Sequence, residues 1–130
     1  MGTVEKYSRD LLIGEWFSTG IDEQGDSMSE FAHLAADGSF EFKFVRQNSL
    51  GEVIEEIIEY GDWGLVGNIH FTITKSEFIE NEHFAADLND ENNYHAYQVK
   101  SLDSHAFVYQ HVETKEEYVL RRLSQNVGIC

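Results

Sequence analysis

The sequence predicts an all-β chain: an antiparallel up-and-down barrel of about eight to ten strands, preceded by a short N-terminal helical turn. Three observations carry this. Apolar and polar residues alternate with period two in several short runs, as in SFEFKFVRQ at 39–47. Turn signals such as Asp37-Gly38 and Gly67-Asn68 separate the runs at short, regular spacing. The chain has ten glycines and no proline, so nothing bars its central strands from full ladder pairing.

In chain order, residues 5–13 (EKYSRDLLI) read as a helical turn with Ser8 or Asp10 as cap. A strand follows over 14–20. Residues 28–36 and 39–47 form a hairpin about Asp37-Gly38, with Phe40, Phe42 and Phe44 on one face and Glu41 and Lys43 on the other. Residues 52–60 (EVIEEIIEY) form the next strand, and Gly61 is expected to break that run before a short strand at 62–66. In residues 69–75, Ile69, Phe71 and Ile73 share a face. Residues 93–101, 105–112 and 117–123 complete the set, joined by links of hairpin size. Residues 76–92 are acidic and interrupted. Phe78, Ile79, Phe84 and Leu88 give them the anchors for a short helix or lid.

A length of 130 residues fits one domain spanning 1–130, with enough chain to bury a core. The aromatic share of 13% is high, so many large rings need packing partners. The net charge of −15 disfavours nucleic acids and anionic membrane surfaces, which both attract basic patches. The lone cysteine, Cys130, reads as an exposed tail thiol and permits no intrachain disulfide. Residues 1–14 carry charges where a secretory signal has an apolar run, so a cytoplasmic location is expected.

Both tryptophans sit in similar settings: GEWFSTG at 14–20 and GDWGLVG at 61–67. A helical turn running into Gly-x-Trp, here Leu11-Leu12-Ile13-Gly14-Glu15-Trp16, resembles the lipocalins and the wider calycin superfamily. The turn signal, strand and later G-x-W-x-x-x-G-N layout is similar to small bacterial lipocalin-like domains in particular. The resemblance implies that Trp16 plugs one end of the barrel beneath an arginine of the last strand. Arg121 and Arg122 both lie in that strand, and parity leaves the choice open: Arg121 shares a face with Val119 and Leu123, Arg122 with Tyr118 and Leu120. Trp63 is expected to meet the same structural need at a later strand. Residues 20–27 leave room only for a loop where fatty-acid-binding proteins carry a helical lid.

A small barrel has inward positions that either fill it or line a pocket. The expected ligand-binding set is Phe42, Phe44, Glu56, His95, Tyr97, Tyr109, His111 and Tyr118. Glu56 shares a face with Ile54, Ile58 and Tyr60, where an inward carboxylate would grip a ligand or handle a proton. If the opposite face, with Val53, Glu55, Ile57 and Glu59, points inward, Glu56 is left in water. The tyrosines and histidines of the last strands form an aromatic wall with polar handles if they face inward.

The sequence reading is therefore non-enzymatic binding of a small, largely apolar ligand inside the barrel, with no cofactor. Three alternatives stand beside it. One is a haem-binding barrel resembling nitrobindin, with His95 or His111 on the iron. Another is a small isomerase or cyclase using Glu56 or a histidine as acid/base. The third is an interaction module with a filled core. The six histidines show no metal-ligand spacing, so no metal is expected, and no catalytic residue is assigned. Apolar residues on both faces of 52–60 leave a homodimer open.

Overall fold

The computed structural model describes residues 7–123. Helix α1 (Arg9–Leu12) is a single turn entered from Ser8, whose side chain makes no cap hydrogen bond. The strands are β1 (Gly14–Ile21), β2 (Ser27–Leu34), β3 (Ser39–Gln47), β4 (Val53–Val66), β5 (Ile69–Ile79), β6 (Glu82–Ala85), β7 (Tyr94–Leu102), β8 (Ala106–His111) and β9 (Glu117–Arg122). All pairings are antiparallel. The sheet runs β4-β3-β2-β1-β9-β8-β7-β5, and a β4–β5 pairing closes it into a ring of eight strands. Strand β6 lies outside the ring as a short hairpin partner of β5.

Two segments differ from the sequence expectation. Residues 52–60 and 62–66 belong to one strand, because Gly61 continues β4 instead of breaking it. A Cβ at Gly61 would collide with the Ile73 carbonyl and the Phe40 ring, so glycine here allows a close approach. Within 76–92 there is neither an α-helix nor a helical lid. Phe78 and Ile79 extend β5, Phe84 lies exposed in β6, and a 3-10 turn at Glu91–Asn93 leads into β7.

The core fills one end of the barrel. Trp16, Leu34, Phe40, Trp63, Val99, Phe107 and Leu120 are buried there from the strands of the ring, and Leu12 joins them from α1. Trp16 and Trp63 use one device twice. Trp16 Nε1 donates to the Leu12 carbonyl at 2.9 Å, and the Arg122 guanidinium lies 4.1 Å from its ring centre. Trp63 Nε1 donates to the Ala35 carbonyl at 2.9 Å, and the Arg9 guanidinium lies 4.7 Å from its ring centre. Each buried indole thus keeps its N–H satisfied and carries a cation on its face. Of the two candidate arginines, Arg122 seals Trp16, whereas Arg121 is exposed on the outer surface. Cys130 lies outside the described residues.

Candidate functional site

Above this plug the side chains stop filling the barrel. A cavity of about 210 Å³ opens among Phe42, Phe44, Tyr97, Tyr109 and Tyr118, with Glu30, Glu59, His70, Thr72 and His95 as its polar lining. Strand parity explains the set. Glu30 follows Leu34 and Ala32 on the inward face of β2, and Glu59 follows Trp63 and Gly61 on that of β4. Phe44 lies opposite Glu30, and Phe42 opposite Glu59, so two phenylalanines sit between two carboxylates. On the far wall Tyr97 meets Tyr109 edge-on at 5.0 Å, and Tyr109 stacks on Tyr118 at 5.4 Å.

Six residues of the sequence-predicted set therefore line the cavity. His111 stands just behind it, with Nε2 3.2 Å from His95 Nδ1. Glu56 does not reach it: it is exposed on the outer face, 3.7 Å from Lys43 Nζ. The inward face of β4 is the one bearing Glu55, Ile57 and Glu59. Four polar lining residues lie outside the expected set: Glu30, His70 and Thr72, which sequence reasoning missed, and Glu59, which belongs to the alternative inward face of residues 52–60. On β5 the apolar residues mislead, because Phe71 and Ile73 point outward while His70, Thr72 and Thr74 are buried inside. Phe71 is drawn outward over Gly64, its cross-strand partner, whose missing side chain it covers. The alternation of Glu30 with Ala32 and Leu34 is the signal that could have found Glu30.

Burial sets the electrostatics. It pushes the Glu30 carboxyl up to about 7, helped by the nearby Glu59 charge. Glu59 is raised in turn by burial and by Glu77, against a 3.3 Å hydrogen bond from the Thr74 hydroxyl. His70 is 3% exposed, and burial pushes it down to about 4. Its ring hydrogen-bonds the Gly64 backbone, but Nδ1 has no partner among the described residues. The other two imidazoles are fully engaged. His111 Nδ1 accepts the backbone N–H groups of Glu113 and Thr114 at 3.0 and 3.3 Å. Its proton therefore sits on Nε2 and is donated to His95 Nδ1, while the His95 ring also bonds the Asn92 backbone. Among the described residues, no group of three or more His, Cys, Asp or Glu side chains is placed to hold a metal ion.

Fold and cavity together define a lipocalin-like barrel. The chain is similar to the crystal structure of a lipocalin-like protein from Bacteroides uniformis ATCC 8492, with a TM-score of 0.53 and 16% sequence identity. The match spans 87% of this chain and 99% of that one. No family model and no curated protein matches the sequence. No described helix is long and apolar enough to cross a membrane.

Proposed function

We propose that this protein binds a small, largely aromatic or apolar molecule non-enzymatically in the barrel interior. The supporting observation is the cavity itself: about 210 Å³ between five aromatic rings, above a fully packed plug. A dry cavity of about 150 Å³ suffices for benzene, so this one suits a single ring with a short substituent. That size disfavours a tetrapyrrole. So does the histidine pair, since His95 and His111 already direct their nitrogens to each other and to the backbone. The test is native mass spectrometry of protein from its own host, paired with Phe44→Trp, which adds bulk to the cavity wall. Bound mass that disappears in the variant supports the reading. Wild-type protein that carries no adduct and takes up no single-ring compound sinks it.

One observation favours a second reading. A carboxyl that titrates near 7 inside a cavity is placed for proton transfer, so Glu30 is the acid/base that an isomerase of this fold would use. Under that reading the released ligand would be chemically altered. A ligand recovered unchanged after prolonged incubation counts against it.

A further inference from the structure

We infer that the ligand is an organic cation, a single-ring amine whose ammonium lies between Glu30 and Glu59 and whose ring packs on the cavity tyrosines and phenylalanines. This rests on the reading of the cavity as a ligand site. The argument is one of sign and hydrogen-bonding capacity. No lysine or arginine is among the lining residues, and the two glutamates have no basic partner there. Arg46, which borders the adjoining cavity with Glu30 and Glu55, is taken up by Asp22 and by Asp26 at 3.1 Å. An anionic ligand would therefore meet two carboxylates and no counter-charge.

His70 supplies an independent indication. Its ring is buried, lines the cavity and commits its proton to the Gly64 backbone, so Nδ1 keeps a lone pair with no donor among the described residues. A buried acceptor left unmade is costly, and a ligand rich in N–H groups would satisfy it. The glutamates are acceptors too once ionised. Aromatic faces complete the complement, because ring quadrupoles attract ammonium groups.

Binding should also be coupled to protons, since an ammonium favours the ionised glutamates. The titratable groups facing the pair are Glu55 beside Glu30, Glu77 beside Glu59, and the imidazoles of His70 and His95. Tyr97, Tyr109 and Tyr118 lie across the cavity, and burial holds their phenols protonated.

The test titrates wild-type protein with 2-phenylethylamine, 2-phenylethanol and 3-phenylpropionate, following the Tyr97, Tyr109 and Tyr118 ring resonances. The amine is expected to bind about tenfold or more tighter than the other two, as for a hydrogen-bonded charge pair. Its affinity should rise between about pH 6 and about pH 8, where an alkylamine stays charged while Glu30, pushed up to about 7, ionises. Glu30→Gln/Glu59→Gln should remove that advantage, so that in this variant the amine binds no tighter than 2-phenylethanol. Should that pair fail to fold, Glu59→Gln alone and the wild-type ligand series decide. Alcohol or propionate binding as tightly as the amine overturns the cationic assignment and leaves the cavity reading intact. If none of the three moves the tyrosine resonances, the cavity reading falls and the assignment with it.

Discussion

Arg122 holds the barrel shut from a single position. Its guanidinium lies on Trp16 and donates to the carbonyls of Leu11, of Ile13 at 2.9 Å and of Ser104 at 3.0 Å. Gly14 makes room for it, since a Cβ there would collide with Nη1. Arg122→Ala is expected to cost about 2–4 kcal/mol in urea unfolding, the sum of a cation–π contact and charged hydrogen bonds. Arg121→Ala, on the exposed face, should stay within about 0.5 kcal/mol. Inside the cavity, two buried groups oppose each other in their pH dependence. Folded Glu30 keeps until about 7 a proton that the unfolded chain releases near 4.5, so its contribution is whole below 4.5 and fades as pH climbs to about 7. Folded His70 stays neutral down to about 4, whereas the unfolded ring takes a proton below 6.5. Its contribution is whole above 6.5 and fades as pH falls. Glu30→Gln should therefore gain on wild type as pH rises through the first window, and His70→Phe should gain as pH falls through the second. Thermal melts across this range would show parallel curves if neither group were buried as described.

Among the elements, β4 is where local sequence and tertiary packing part company. Gly61 reads as a breaker, yet it lies in mid-strand under Phe40 and against the Ile73 carbonyl. Gly61→Ala is expected to force β4 and β5 apart at a cost of about 1–3 kcal/mol, as overpacking does. Gly20→Ala in β1 meets open space and should be neutral or slightly stabilising by the same urea assay. The strands themselves were legible because alternation and turn residues are local signals: Asp37-Gly38 does make the β2–β3 turn, with Gly38 at φ 93°. Which face of a strand points inward was legible only where it was plainly apolar, as in Phe40, Phe42 and Phe44. In β4 and β5 the inward faces carry Glu59, His70 and Thr72, while Ile54, Phe71 and Ile73 face outward. A cavity wall reverses the pattern of a core wall, so hydrophobic periodicity alone left the inward side of residues 52–60 open and gave no sign that His70 and Thr72 face in. The extension of β5 through Phe78 was hidden because its pairing with β4 and with β6 is tertiary and leaves no period-two apolar pattern in residues 76–79.

For the whole molecule, closure is the long-range step. The ring depends on β1 meeting β9, and among the described residues these strands pair only at Trp16–Arg122 and Phe17–Arg121, the shortest ladder in the barrel. The backbone bond from Leu123 N to Glu15 O, at 2.9 Å, extends that seam by one link. Every other junction in the ring joins strands closer in sequence, so this one carries the greatest loop-closure entropy and gains the most from a covalent link. Phe17 and Arg121 are cross-strand partners on the outer face, away from the cavity and from Trp16. Phe17→Cys/Arg121→Cys, with Cys130→Ser to remove the native thiol, would close a loop of about a hundred residues. On the loop-entropy model that constraint stabilises by about 5 kcal/mol. The oxidised form is expected to melt well above its reduced form. A control disulfide at the cross-strand pair Phe31–Lys43 closes only a short hairpin and should gain less. Hydrogen exchange supplies the complementary reading. In the wild type, amides of β1 beyond Phe17 that face β9 should exchange before those paired with β2, and the engineered β1–β9 disulfide should slow them. Equal gains from both disulfides, with no early exchange along β1, would mean that the barrel opens somewhere other than this seam.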